Sequence, residues 1–282
     1  MLAHCLKKYR DTHRIIVTFA NTGCEHEATL KFVDQCDRYI AKGQVVWIEA
    51  VIDPRPGKGI THKIVDYFTA SRKGEPFRAA IEKYGIPNRT TPYCTARLKT
   101  EAMEHYLKSV GWKKGKKMNY VTAIGIRADE MDRVSPNAEK HGWIYPLVKG
   151  GITKDIVKTW WKRQPFDLEI PADHYGNCMW CWKKSLRKLM TLARESVEVF
   201  DFPLEMERTY GKHKVFDCAA AHNGRRAFFE KHRTAKSIIL DAWARDFKLY
   251  RDDTVAGVDF TFDPDIDVGS SCGETCEIGA DI

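Results

Sequence analysis

Two cysteines spaced to share one metal stand out in Gly176-Asn177-Cys178-Met179-Trp180-Cys181-Trp182. Thiolates two residues apart can bite a single metal ion or cluster iron, because the intervening turn aims both sulfurs at one point. Two ligands do not complete a site. Cys94, and Cys272 or Cys276 from Ser271-Cys272-Gly273-Glu274-Thr275-Cys276, could supply the rest across the fold. A redox dithiol and a set of unligated thiols are the other two readings. A thioredoxin-like unit would put its pair directly after an early strand, which is not the case here. Cys5, Cys36 and Cys218 sit in helical or apolar contexts that suit packing. Cys24 stays open between packing and chemistry.

A second cluster able to do chemistry is Asn21-Thr22-Gly23-Cys24-Glu25, which follows the apolar run Ile15 to Ala20. The run reads as a buried parallel strand delivering its carboxyl end into a helix start. Thr22 as N-cap and Glu25 three residues on would form a capping box. Loop amides and a helix N-terminus at the carboxyl end of a parallel strand suit an anion such as a nucleotide phosphate. An ordinary capped strand–helix corner fits the same pattern.

The third cluster is Gly125-Ile126-Arg127-Ala128-Asp129-Glu130, again at the end of an apolar run. Arg127 could take a phosphate through two hydrogen bonds, and Asp129 or Glu130 could bind a cation such as magnesium, or a ribose. Residue by residue, a surface turn with local salt bridges explains the same loop.

These clusters need elements to hold them. Residues 1–10 read as the end of a helix with Lys7, Lys8 and Arg10 in its last turn. Leu30, Val33 and Ile40, helped by Cys36, line one face of the next helix. Val45 to Ile52 reads as a second buried parallel strand, ending in the loop Asp53 to Gly59. The stretch from His62 to Gly85 mixes short helical patterns. A helix runs from Pro92, with Cys94 at its head, to about Val110, and Lys113 to Lys117 form a basic loop. Tyr120 to Ile126 is a third strand, Ile144 to Leu147 a brief extended segment, and Thr153 to Arg163 a helix. From Cys178 to Trp243 the patterns are helical. The expected fold class is therefore α/β, a parallel sheet with flanking helices, a helical C-terminal part and an acidic tail. The expected division is an α/β domain over 1–170, a helical cysteine-bearing part over 171–251 and the tail over 252–282.

With 282 residues the chain can bury a large core. No apolar run approaches the roughly 20 residues that cross a bilayer, and no signal peptide opens the chain. Nine cysteines without a secretory signal point to reduced thiols, a metal site or redox chemistry, and to the cytoplasm, with no membrane partner. Net charge is +8, but nine of the 38 acidic residues lie beyond Arg251, where there is no Lys or Arg. The remaining 29 face 46 basic residues, so the body carries +17. Such a body favours polyanions, from nucleotides to RNA or DNA.

Taken in order, the motifs resemble a known group. Phe19-Ala20-Asn21-Thr22-Gly23 with Glu25 and Thr29, Cys94 with Leu98-Lys99, Gly125 to Glu130, and Tyr145-Pro146-Leu147 look like the phosphoadenosine phosphosulfate (PAPS) reductase-like proteins. These belong to the adenine nucleotide α-hydrolase, or PP-loop, superfamily. Phage-encoded members look especially close, including Cys178 to Cys181 followed by Trp182-Lys183-Lys184-Ser185-Leu186-Arg187; for such a member the location would be the host cytoplasm. The resemblance covers about residues 1 to 215.

The resemblance implies an adenine nucleotide, ATP or PAPS-like, at the carboxyl ends of parallel strands. Asn21, Thr22, Gly23 and Glu25 would lie beside it, and Gly125 and Arg127, with Asp129 and Glu130, would approach its phosphate or sulfate end. Cysteines placed like Cys94, Cys178 and Cys181 imply an iron-sulfur cluster or zinc, with a fourth ligand from Cys272 or Cys276. The implied chemistry is sulfur transfer or reduction, or an adenylation-dependent modification, with tRNA or DNA as a further substrate. Relatives carry a Ser-Gly-Gly-x-x-Ser phosphate loop just ahead of the segment matching residues 1–10. Either an upstream segment supplies that loop here, or the chain has lost its main pyrophosphate clamp and serves as a nucleic-acid- or protein-binding module. The reductases' Glu-Cys-Gly-x-x-Leu-His motif has only a faint echo in Cys272-Gly273-Glu274, so true PAPS reduction is not assigned.

Overall fold

Val17–Asn21 (β1) lies parallel to Val45–Ile52 (β2), with Phe19 opposite Trp47 and Asn21 opposite Glu49. The two apolar runs thus pair as their continuous hydrophobicity requires. The computed structural model describes residues 1–113, 119–215, 221–251 and 263–267. Cys218, Cys272 and Cys276, four of the five residues of the Lys113 to Lys117 loop, and most of the acidic tail fall outside them.

The sheet is mixed, not wholly parallel. Ile60–Val65 (β3) runs antiparallel to β2, from Ile60 opposite Ile52 to Val65 opposite Trp47. The reading of helical patterns after His62 is corrected over this strand. β3 is last in the order β1-β2-β3, and its exposed Thr61, Lys63 and Ile64 blur the apolar period that reveals a buried strand. The third expected strand shrinks to Thr122–Ala123 (β4). It pairs in parallel with Trp143–Ile144 (β5) in a separate two-stranded sheet.

The helices surround this frame. Leu2–Tyr9 (α1) precedes β1 and buries Leu6. Glu27–Cys36 (α2) follows it and buries Leu30. Glu75–Tyr84 (α3) packs on β2, and Glu101–Ser109 (α4), whose helical stretch starts at Cys94, packs on β3. Ala138–His141 (α5) and Pro146–Lys149 (α6) are single turns around β5. The expected extended segment at 144–147 is therefore corrected to a strand end and a helix start, which Pro146 favours because its φ is preset and its missing N–H is not needed there. Lys154–Trp161 (α7) starts behind Thr153. Leu186–Glu195 (α8), Asp201–Tyr210 (α9) and Ala235–Ala244 (α10) form the helical part, and Pro264–Asp267 (α11) lies against α8.

One core joins these parts. Ile48 of β2, Ile81 of α3 and Leu98 share a buried cluster with Trp180, with Leu189 and Met190 of α8, with Phe228 and with Ile238 of α10. Phe77 and Phe228 meet the Trp180 ring edge-on, at centroid distances of 5.2 and 4.9 Å. Among the described residues no helix is long and apolar enough to cross a membrane.

Candidate functional site

At the carboxyl end of β1 the chain turns sharply at Gly23, whose φ of +79° is open to glycine. A Cβ there would meet the Gly74 nitrogen at 2.9 Å. The close approach is used, since the Gly74 amide donates to the Gly23 carbonyl at 2.9 Å. The expected capping box is corrected here. α2 starts at Glu27, and the imidazole of His26 caps it by accepting from the Ala28 amide at 3.1 Å.

Glu25 instead folds back on its own loop. Its carboxylate accepts from the Thr22 amide at 3.0 Å, the Thr22 hydroxyl at 2.8 Å and the Cys24 amide at 3.2 Å. The Lys99 ammonium lies 3.8 Å away. The remaining loop amide, of Gly23, donates to Asn21 Oδ1 at 3.2 Å. The amides suited to a phosphate are thus satisfied by side chains of the loop itself.

Below them lies a second buried carboxylate. Glu49 is fully buried and accepts from Asn21 Nδ2 at 2.6 Å, the Ser71 amide at 2.6 Å, the Ser71 hydroxyl at 2.8 Å and Lys63 Nζ at 2.8 Å. Burial pushes its carboxyl up, but the bonds from Lys63, Ser71 and Asn21 more than offset this and hold it below the usual carboxylate range. Asn21 is fixed between the two carboxylate systems.

The cysteine turn docks onto this corner. Glu25 and Cys178 form an isolated antiparallel bridge, and the Met179 amide donates to the Cys24 carbonyl at 3.1 Å. Cys178 Sγ lies 3.4 Å from the Thr22 hydroxyl oxygen. A hydroxyl has one proton, and that of Thr22 goes to Glu25, so the thiol is the donor in this contact. Cys178, Thr22 and Glu25 therefore form a buried donor chain ending on a carboxylate. Burial first, then the nearby Glu25 charge, raises both the Cys178 and Cys24 thiols well above the ordinary range. Both stay protonated and weakly nucleophilic at neutral pH.

Lys184 holds the turn from the inside. Its ammonium donates to the carbonyls of His174 (2.6 Å), Gly176 (3.0 Å), Cys178 (3.1 Å) and Met179 (2.6 Å). Burial lowers its pKa to about 8. Sequence reasoning missed this role, because Lys184 sits in a basic run that looks like a solvated helix face. Glu49 was missed as well, and Lys99 and Trp180, quoted only within motifs, were given no role; their neighbours come from distant parts of the chain.

For the expected metal, Cys178 and Cys181 share a tight turn in which the Cys181 amide donates to the Cys178 carbonyl at 2.9 Å. Cys94 packs against the same core. Among the described residues, however, no three His, Cys, Asp or Glu side chains are grouped to hold a metal ion. The described donor set alone does not fit an iron-sulfur cluster or structural zinc.

The Gly125 loop is also satisfied internally. Arg127 Nε donates to Asp129 Oδ1 at 3.2 Å, its Nη2 lies 3.4 Å from Glu130, and its amide donates to Glu130 Oε2 at 3.1 Å. Asp129 also accepts the Lys154 amide at the start of α7, at 3.2 Å. Gly125 lies against Met1, whose sulfur would be 3.5 Å from a Cβ placed there.

No protein-family model and no solved structure matches the chain. It is 30% identical over 277 residues, 95% of its own length and 86% of the relative's, to a protein of Escherichia phage lambda described as "Uncharacterized nin region protein ORF290".

Proposed function

We propose that this chain, which belongs to the family of the phage lambda nin region protein, binds an adenine nucleotide at the carboxyl ends of β1 and β2. It uses the nucleotide in sulfur transfer or reduction, or in an adenylation-dependent modification. The observation that carries the reading is the convergence of Cys178, Thr22 and Glu25. A thiol from residue 178 and the loop after β1 meet within 3.4 Å, although 156 positions separate them. Ligands of open α/β sheets bind at this end of the strands. A buried hydroxyl between a thiol and a carboxylate can relay a proton from sulfur to Glu25, which the thiol needs if it is to act as a nucleophile. A metal at Cys178 and Cys181 would require donors beyond those grouped there among the described residues.

Titration calorimetry with ATP and with PAPS tests the reading. Saturable binding that weakens at least tenfold on Arg127→Ala supports it, and an absence of binding to both nucleotides rejects it.

One observation favours a second reading. The amides of Thr22, Gly23 and Cys24 are all taken by Glu25 and Asn21, and Arg127 is held by two carboxylates of its own loop. A family member in which these groups serve only the fold would act as a nucleic-acid- or protein-binding module. Such a chain gives no nucleotide heat in the same titration.

A further inference from the structure

Several of the fold's cations are matched by carboxylates. Lys63 meets Glu49, Arg72 meets Glu27, Arg78 meets Glu205 and Arg187 meets Asp267. The cations around the end of α1 are not so matched. Lys7, Lys8, Arg10 and Arg14, at the end of α1 and just beyond it, are exposed. None of them forms an ion pair with a described residue, and Asp11 is the one acid in residues 7–14. Four like charges with a single acid among them cost free energy that an incoming polyanion removes.

The cations are interleaved with rings. The Lys8 ammonium lies over Tyr9 at 5.5 Å, and the Arg14 guanidinium lies 6.0 Å from the Trp112 centroid. Trp112 in turn packs on Tyr120 at 5.4 Å. Arg14 therefore joins the end of α1 to a second segment. That segment adds Lys108 and Lys113, also exposed and in no ion pair with a described residue. Residues 7–14 contain no aliphatic side chain, and Leu6 of α1 points into the core. Residues 7–14 offer charge and flat rings, not the apolar surface that enters a lipid layer.

We infer that this face is a docking surface for a nucleic-acid strand. Its phosphates lie on Lys7, Lys8, Arg10, Arg14, Lys108 and Lys113, and its unpaired bases stack on Trp112. Phosphates spaced along a strand meet spaced cations, and bases between them meet the rings. The inference does not rest on the nucleotide reading, because the face shares no residue with the Thr22–Cys178 corner or the Gly125 loop.

Fluorescence anisotropy of labelled single-stranded DNA and RNA oligonucleotides with the full chain, across a salt series, tests it. The triple variant Lys7→Ala/Arg10→Ala/Arg14→Ala should lower the salt slope by about 2, since each single-strand phosphate contact contributes about 0.7. Trp112→Ala should weaken binding by about 5- to 150-fold, the range for one lost stacking contact. The control Lys42→Ala/Lys162→Ala/Arg163→Ala removes the same charge from exposed side chains elsewhere and should leave affinity within about twofold. Circular dichroism and a urea titration establish that each variant is folded. Equal losses in the two triple variants would reduce binding to general charge and overturn the inference. So would an absence of oligonucleotide binding, or losses seen only with phosphatidylserine vesicles.

Discussion

Arg187 of α8 and Asp267 of α11 meet in a two-point ion pair, with Nε and Nη2 each 2.7 Å from a carboxylate oxygen. Both side chains are almost fully buried, at 5% and 8% exposed. Removing Asp267 alone takes the paired carboxylate away from a buried guanidinium, although Nη1 still donates to the Lys248 carbonyl at 2.8 Å. Asp267→Ala is expected to cost about 3 kcal/mol in urea unfolding. Arg187→Met/Asp267→Leu should recover most of that loss. A double variant no more stable than Asp267→Ala would show that the pair itself stabilises the fold.

Glu25 occupies the position an anion would take at the Thr22 and Cys24 amides. Glu25→Ala strips three donors of their acceptor and should cost about 2 kcal/mol. The vacated amides should then bind sulfate, so millimolar sulfate should raise Tm more in the variant than in the parent. Equal sulfate responses would mean that these amides do not form an anion nest.

Lys184 gathers four carbonyls, of which that of Cys178 also accepts the Cys181 amide. Lys184→Met keeps the stem but takes the ammonium from the carbonyls of His174, Gly176 and Met179, at about 3 kcal/mol or more. The turn carrying Cys178 and Cys181 should loosen with it. Faster alkylation of Cys178 in the native variant than in the parent, followed by mass spectrometry, would report that loosening.

Glu207 is buried and accepts from the Ala235 amide at 2.8 Å and the Phe228 amide at 3.2 Å. Burial raises its pKa from 4.5 to about 7, against the pull of those two amides. Between these values the folded chain keeps the proton and the unfolded chain releases it. Unfolding therefore releases a proton, and this residue's contribution to stability falls as pH rises from about 4.5 to 7, by roughly 3 kcal/mol. Glu207→Gln should remove that component. The difference between parent and variant stability, measured by urea titration, should shift across this window; a constant difference would refute the assignment.

What was legible in the sequence follows from what periodicity records. Val45 to Ile52 is buried over most of both faces, so an apolar run interrupted only by Glu49 marked it, and the observed strand has those bounds. Thr153 to Arg163 was legible because Thr153 opens an amphipathic stretch, and α7 covers its middle. β3 was not, because Thr61, Lys63 and Ile64 are exposed and only Ile60 is fully buried. At the corner, the sequence revealed that Thr22 and Glu25 interact but not what for, since His26 takes the capping role. Lys184 was hidden for a different reason. Nothing local distinguishes a lysine that reaches inward to four carbonyls from its neighbour Lys183.

The shared core has a further consequence. Ile48 and Ile81 lean on the same cluster as Leu189, Phe228 and Ile238, so the α/β frame and the helical part have no seam along which one could be lifted off with its apolar surface still covered. A protease cut in a surface loop would leave two pieces clasped together, and neither piece cloned alone would keep the other's side of that interior dry. Among the described residues the cysteine turn, bridged to Glu25 and packed through Trp180 on Phe77 and Phe228, is held by both parts.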